Sequence, residues 1–197
     1  VIVRHENAGP MTNAKMATGD NTDAGIRYSV ATGALTVETG AELHVWTGDT
    51  YGPGGTVTTQ GAGGHLHVDD SGVASLSNYV ITISGDVAID AGAALTAPSS
   101  SAFYVGGSWT NSGTFTHSSG TVTFNGAAAQ ALSGTLTGAT GAFNNVTFSN
   151  SFAGANVNYT GALTIGGNAV LTQNTAIAST NNTAITITGT INGANTL

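Results

Sequence analysis

The sequence predicts an all-β protein, folded as a β-solenoid of the parallel β-helix type with rungs of about 21 residues, a rung being one complete circuit of the chain. Short alternations of apolar and polar residues recur along the chain and stop at glycine or asparagine. Valine, isoleucine, threonine and aromatic residues, which favour strands, are frequent in these alternations. No segment keeps an apolar stripe of helical period free of glycine. An antiparallel β-sandwich is the alternative, because pairs such as Asn125-Gly126 also form hairpin turns.

Residues 1–30 depart from the alternation, and we expect an irregular cap or an interaction arm there. They contain both methionines and all three basic residues of the chain. A solenoid needs a cap because an open end exposes unpaired strand edges. The stretch Gly19–Gly25, GDNTDAG, is similar to a calcium loop, but Thr22 and Ala24 interrupt the alternate oxygen ligands of that motif. The sequence therefore favours a polar turn over a calcium site.

Residues 31–78 are expected to form less regular β rungs. The motif LHV of ELHVW returns in GHLHVDD, roughly one rung further on. Alternation places His65, His67 and Asp69 on one face of a strand, and the rung offset places His44 beside His65 or His67. Imidazole and carboxylate groups are suitable zinc ligands. A zinc site requires a close match between rungs, so the sequence favours the simpler interpretation, a solvent-facing strand surface without metal.

Residues 79–197 are expected to form regular solenoid repeats. They can be aligned on six anchors that recur at intervals close to one rung: Gly85, Gly107, Gly126, Asn150, Gly167 and Gly189. The shortest interval separates Asn150 from Gly167. The residues four and two positions before each anchor are large and apolar, and alternation directs them into the core. The predicted structural core is Ile81, Ile83, Phe103, Val105, Val122, Phe124, Val146, Phe148, Leu163, Ile165, Ile185 and Ile187.

The charge distribution excludes several partners. The formal net charge is −7, no lysine or arginine follows Arg27, and no charged residue follows Asp90. The later half of the chain has no basic side chain to hold phosphates and the acidic first half would repel them, so we expect no binding to nucleic acid or to anionic membrane surfaces. No apolar run approaches the roughly 18 residues that a membrane-spanning helix requires, so we expect no membrane insertion. The absence of cysteine excludes disulfides and thiolate metal sites.

The sequence predicts no enzymatic activity. It lacks the Gly-x-Ser-x-Gly motif of serine hydrolases. Residues 91–197 contain no carboxylate, lysine or arginine with which a solenoid enzyme could cleave a polysaccharide. Carboxylate pairs such as Asp69/Asp70 and Asp86/Asp90 exist, but no pattern in the sequence orients them toward each other as glycoside hydrolysis requires.

Three segments of the regular half resemble the β-strand repeats of very large secreted and surface-attached bacterial proteins. They are GSWTNSGTF at Gly107–Phe115, GTVTFNG at Gly120–Gly126 and FNNVTF at Phe143–Phe148. The resemblance extends over residues 79–197 and covers the beginning of the chain poorly. It implies an adhesin-like or fibre-like structural protein, secreted and located outside the cell or on its surface. Repeats of this type serve as spacers in proteins of many roles, so the resemblance specifies the repeat more than the function.

From the repeat pattern and this resemblance we expect a structural subunit or segment of an extracellular fibre, sheath or stalk. Its partner would be a further copy of itself, stacked head to tail. The alternative is an adhesin passenger that binds surface glycans through exposed aromatic side chains, with Trp46, Tyr51 and Tyr104 as the candidates. No cofactor is expected, apart from the calcium and zinc candidates described above.

Overall fold

The computed structural model describes residues 3–6, 34–37, 39, 42–45, 48, 50–61, 63–152, 157–172 and 176–193, and for residues 3–6 it describes the backbone. These residues form 22 β-strands and no helix. All strand pairs from β2 onward are parallel and join strands about one rung apart, which confirms the solenoid and excludes the antiparallel sandwich. The described part of the chain completes about seven rungs of about 22 residues, close to the predicted length.

The solenoid has three walls, and a complete rung contributes one strand to each. The first wall is a nine-stranded sheet. In chain order its strands are β1 (Val3–Glu6), β2 (Ala34–Val37), β5 (Val57–Thr59), β8 (Ile81–Ile83), β11 (Ala102–Val105), β14 (Thr121–Phe124), β16 (Asn145–Phe148), β19 (Ala169–Leu171) and β22 (Ile191–Gly193).

The second wall is a seven-stranded sheet. Its strands are β3 (Leu43–Val45), β6 (Leu66–Val68), β9 (Val87–Ile89), β12 (Trp109–Asn111), β15 (Gln130–Gly134), β17 (Val157–Tyr159) and β20 (Ile177–Ser179). The third wall consists of a four-stranded sheet followed by a two-stranded sheet. Its strands are β4 (Thr50–Tyr51), β7 (Val73–Ser75), β10 (Ala94–Thr96), β13 (Thr114–Thr116), β18 (Leu163–Ile165) and β21 (Ile185–Ile187).

Rung length varies, but strand register does not. One column of parallel partners in the first wall consists of Leu35, Val57, Ile81, Phe103, Val122, Val146, Ala169 and Ile191. The intervals between these residues are unequal because the corner loops differ in length. The strands nevertheless keep their register, so each inward residue stacks on the inward residue of the previous rung. Strands lie about 4.8 Å apart in the hydrogen-bonding direction, so the seven spacings in this column give a rod about 34 Å long.

Alternation along each strand produces a continuous apolar core. Of the twelve predicted core residues, ten are at most 2% exposed, whereas Ile185 and Ile187 in the last rung are half-buried. The largest core side chain is Trp109, whose ring contacts four phenylalanine rings at centroid distances of 4.8 to 6.4 Å. These are Phe103, Phe115, Phe124 and Phe143. Edge-to-face packing of this kind suits the ring quadrupoles, so the aromatic cluster fixes the middle of the rod.

The register predicted from the anchors is wrong after Val146. That prediction places Leu163 and Ile185 in the first wall, above Val146. In the structure Val146 pairs with Ala169 in the first wall, while Leu163 pairs with Ile185 in the third. The interval from the Asn150 anchor to the next one is too short for a complete rung. The error arises because every wall presents the same apolar alternation, so the pattern identifies an inward strand without saying which wall it belongs to.

The N-terminal end of the first wall is covered by β1. This strand pairs with β2 in the antiparallel sense, Val3 opposite Val37 and Glu6 opposite Ala34. An antiparallel strand at this position occupies the backbone edge that β2 would otherwise expose. These four residues belong to the segment predicted as a cap or an interaction arm, and the rest of residues 1–30 lies outside the described part of the chain.

Candidate metal site

A cluster of histidine and carboxylate side chains lies on the outer face of the second wall, over its first rungs. The strands β3 and β6 pair in parallel with His44 directly opposite His67. The residues that flank these histidines along each strand are buried, among them Leu43 and Val68. The period of two therefore obliges both histidines to face outward. Of the two neighbours expected for His44, the structure selects His67.

Asp69 and the two imidazole rings lie close enough to share one cation. His44 Nε2 is 2.8 Å from Asp69 Oδ1, and His67 Nε2 is 3.4 Å from the same oxygen. The two rings stack with centroids 4.7 Å apart and an interplanar angle of 15°. One donor atom from each of His44, His67 and Asp69 can be chosen so that all three lie within 4.8 Å of one another. Three donors from two adjacent rungs thus converge.

Two further carboxylates border this group. Glu42 Oε1 is 3.1 Å from His44 Nδ1, on the far side of the ring from Asp69. Asp90 Oδ2 is 3.2 Å from His67 Nε2 and comes from the next rung. Asp90 follows Asp69 by the same interval that separates Ile89 from its ladder partner Val68. That spacing is the signal in the sequence that would have added Asp90 to the candidates.

His65, the fourth metal candidate from the sequence, does not join the group. Its Nδ1 accepts a 2.8 Å hydrogen bond from the backbone N–H of Asp86 and lies 3.5 Å from the carboxylate of that residue. It therefore sits at the corner before β6, on a separate contact with the next rung. The structure brings together three of the four predicted residues.

The carboxylates of this cluster contact histidine rings. Because no lysine or arginine follows Arg27, no later basic side chain can pair with Glu42, Asp69 or Asp90. Carboxylates accept hydrogen bonds and do not donate them. Both nitrogens of His44 face such oxygens, so both contacts are hydrogen bonds only when the ring carries two protons. A divalent cation on Nε2 satisfies the same geometry in place of one proton.

The aromatic candidates for glycan binding differ in their exposure to solvent. Tyr51 is 3% exposed and lies on the inward column of the third wall, where it pairs with the small residue Ala74. The expectation that Tyr51 is an exposed stacking platform is therefore wrong. Tyr104 is half-buried on the outer face of the first wall, between Thr82 and Thr123. Trp46 and the loop Gly19–Gly25 lie outside the described residues.

Comparison with known proteins adds no assignment: no family model, no curated protein and no solved structure matches the chain. Among the described residues, none belongs to a helix with the length and apolar character needed to cross a membrane.

Proposed function

We propose that this chain is a structural segment of an extracellular bacterial fibre, sheath or stalk that associates head to tail and performs no catalysis. The observation that carries the proposal is the uninterrupted parallel ladder of the first wall, from β2 to β22. Each rung covers the edge of the previous one with the same hydrogen-bond pattern, so the architecture can be continued by further rungs without change. A rod that is extended by repetition is suited to spanning distance.

The outer surface of the later rungs supports a structural role. From β10 to β22 most outward positions carry threonine, serine, asparagine or small residues, and no charged side chain follows Asp90. Like charges stacked one rung apart would repel. A neutral face can therefore be repeated indefinitely at strand spacing.

The last described rung has an apolar surface that a further rung would cover. Ile191 occupies an inward column, opposite the fully buried Ala169, yet it is 47% exposed. Ile177, Ile185 and Ile187 are also half-buried, and they end the inward columns of the other two walls. The core thus reaches the end of the described rod as an apolar surface. A rung from a second copy would bury this surface and pair with the edge of β22, a contact that produces filaments when it does not close.

The extracellular location rests on the sequence. The segments Gly107–Phe115, Gly120–Gly126 and Phe143–Phe148 resemble repeats of secreted and surface-attached bacterial proteins. In the solenoid these segments form consecutive rungs around the aromatic cluster. The motif residues Trp109, Phe115 and Phe143 are buried there, so the resemblance concerns the residues that determine the fold.

Electron microscopy of concentrated protein tests the association. We expect filaments, or rods longer than one molecule, and we expect Ile191→Lys to abolish them because a charge on an edge strand opposes pairing. Val73→Lys is the matched control, since Val73 is 39% exposed on the side of the rod, away from its end. Single short rods at all concentrations would contradict the proposal, as would equal losses for the two variants.

A further inference from the structure

The histidine and carboxylate cluster on the second wall has a chemistry that a purely structural rod does not need. We propose that His44, His67 and Asp69 bind one zinc ion, and that this ion links the first two rungs of the solenoid. The inference is independent of the proposed function, because it concerns residues 42–90, whereas the ladder, the neutral face and the apolar end concern the whole rod and its later rungs.

The separations between the donor atoms match a zinc site. Zinc binds imidazole nitrogen and carboxylate oxygen at about 2.0 to 2.2 Å in tetrahedral geometry, which places neighbouring donors roughly 3.3 Å apart. The distance from Asp69 Oδ1 is 2.8 Å to His44 Nε2 and 3.4 Å to His67 Nε2. These two values bracket the tetrahedral separation, and all three donor atoms lie within 4.8 Å of one another.

The state of His67 points independently to a ligand. Its Nε2 atom is enclosed by protein, and among the described residues it has no hydrogen-bond partner. Carboxylate oxygens of Asp69 and Asp90 lie 3.4 and 3.2 Å away, but their directions do not satisfy a hydrogen bond. An enclosed polar atom without a partner is costly. A cation between Nε2 and these oxygens removes that cost.

Glu42 has the position of a residue that orients a metal ligand. Metal-bound histidines usually donate their other ring N–H to a carboxylate, which fixes the tautomer and the ring orientation. Glu42 Oε1 is 3.1 Å from His44 Nδ1. The proton on Nδ1 then leaves the lone pair of Nε2 directed at the cation. Glu42 is therefore assigned as a positioning residue, and it does not contact the ion.

The solenoid holds these ligands before the ion arrives. The side chains of His44 and Asp69 are 17% and 18% exposed, so solvent screens them only in part. His44 and His67 belong to paired strands whose inward neighbours are buried, and the backbone N–H of Asp69 donates to the Val45 carbonyl at 2.9 Å. Two imidazole nitrogens with one carboxylate oxygen favour zinc over magnesium or calcium, which prefer oxygen ligands.

Calorimetric titration of the chelator-treated chain with zinc chloride tests the site. We expect one zinc ion per chain. Asp69→Asn and His67→Asn should each weaken binding by more than about 100-fold, whereas Glu42→Gln should cost roughly 10- to 100-fold, as loss of an orienting carboxylate does. His117→Asn is the matched control, because His117 lies far along the chain on a local contact with the Ser119 backbone. The zinc affinity of the His117→Asn variant should equal that of the unchanged chain.

Hydrogen exchange with and without zinc supplies a second measurement. Zinc should slow exchange in β3 and β6 and leave β14 and β16 unchanged, since the ion links only the first two rungs. Unchanged exchange in β14 and β16 of each variant also shows that the variant is folded. Absence of saturable binding, equal affinity of Asp69→Asn and the unchanged chain, or a loss in His117→Asn as large as in His67→Asn would each overturn the proposal.

Discussion

At the scale of single residues, the corner glycines are required for a reason other than turn conformation. Gly107, Gly126 and Gly189 follow strands of the regular half, but none of them has a positive φ. Instead, each lies against the backbone of the preceding rung. A Cβ on Gly126 would stand 2.5 Å from the Gly106 carbonyl oxygen. Glycine is needed here because the stacked rungs leave no space for a side chain.

Replacing one of these glycines should therefore destabilise the rod. We expect Gly126→Ala to cost about 1 to 3 kcal/mol, the range for overpacking a rigid site. Gly63→Ala is the control, since a Cβ on Gly63 meets no atom within 4 Å and its φ is not positive. Urea unfolding of the two variants measures the difference. Equal midpoints would show that close approach is not the constraint at Gly126.

The same position is also fixed by buried polar side chains. The carbonyl oxygen of Gln130 accepts from the Gly126 N–H at 3.2 Å and from Asn150 Nδ2 at 2.8 Å. Its amide donates to the carbonyl oxygens of Val105 at 2.9 Å and Gly107 at 2.6 Å. Gln130 and Asn150 are each 1% exposed, so these bonds satisfy the buried amide groups of both side chains. One side chain thus joins the corners of three successive rungs.

At the scale of strands, position along the rod decides what a core residue contributes. Ile83 and Ile187 both point inward, but Ile83 has complete rungs on either side and is fully buried, whereas Ile187 is half-buried in the last rung. In a solenoid each rung contacts only its neighbours, so stability is close to a sum of local terms. The ends of the described ladder should open first.

A matched pair of substitutions measures this difference. We expect Ile83→Ala to cost about 2 to 5 kcal/mol, as for a fully buried isoleucine, and Ile187→Ala to cost less than about half of that, because the half-exposed side chain removes less area from water. Thermal unfolding and hydrogen exchange both measure the loss of stability in each variant. A cost at Ile187 equal to that at Ile83 would mean that the last rung is covered in solution.

The strands also show how far the sequence could be interpreted. Alternation before an anchor was enough to identify Phe103 and Val122 as inward neighbours, because both anchors follow strands of the first wall, one rung apart. It failed at Leu163, because the walls share one pattern and the corner loops vary in length. For the cluster, the return of the LHV motif predicted His44 beside His65 or His67, and the strand pairing selects His67. The distances to Asp69, and the separate partner of His65, depend on side-chain rotamers that no spacing encodes.

At the scale of the whole molecule, charge divides the rod into two electrostatic halves. All ten acidic residues lie at or before Asp90, and the described rungs after it have none. The Debye length is about 10 Å at 0.1 M salt. Interactions between exposed charges weaken once their separation exceeds this length. Salt should therefore act on the first three rungs and not on the later ones.

Hydrogen exchange at two salt concentrations tests this division in metal-free protein. Raising sodium chloride from about 0.02 M to about 0.5 M shortens the Debye length severalfold. We expect slower exchange in β3, β6 and β9, because screening relieves repulsion among Glu42, Asp69 and Asp90. The amides of β11, β14 and β16 should not change. A uniform response along the rod would show that the effect of salt is not electrostatic.

The parallel ladder has a mechanical consequence. A rung of about 22 residues adds only about 4.8 Å to the length of the rod, but the same chain pulled straight measures roughly 75 Å. A load applied at the two ends of the chain would detach rungs one at a time, because each is bonded only to its neighbours. The chain of a detached rung is about fifteen times longer than the length that the rung contributes to the folded rod. The solenoid is thus short at rest and holds a reserve of extension that it releases in steps under tension.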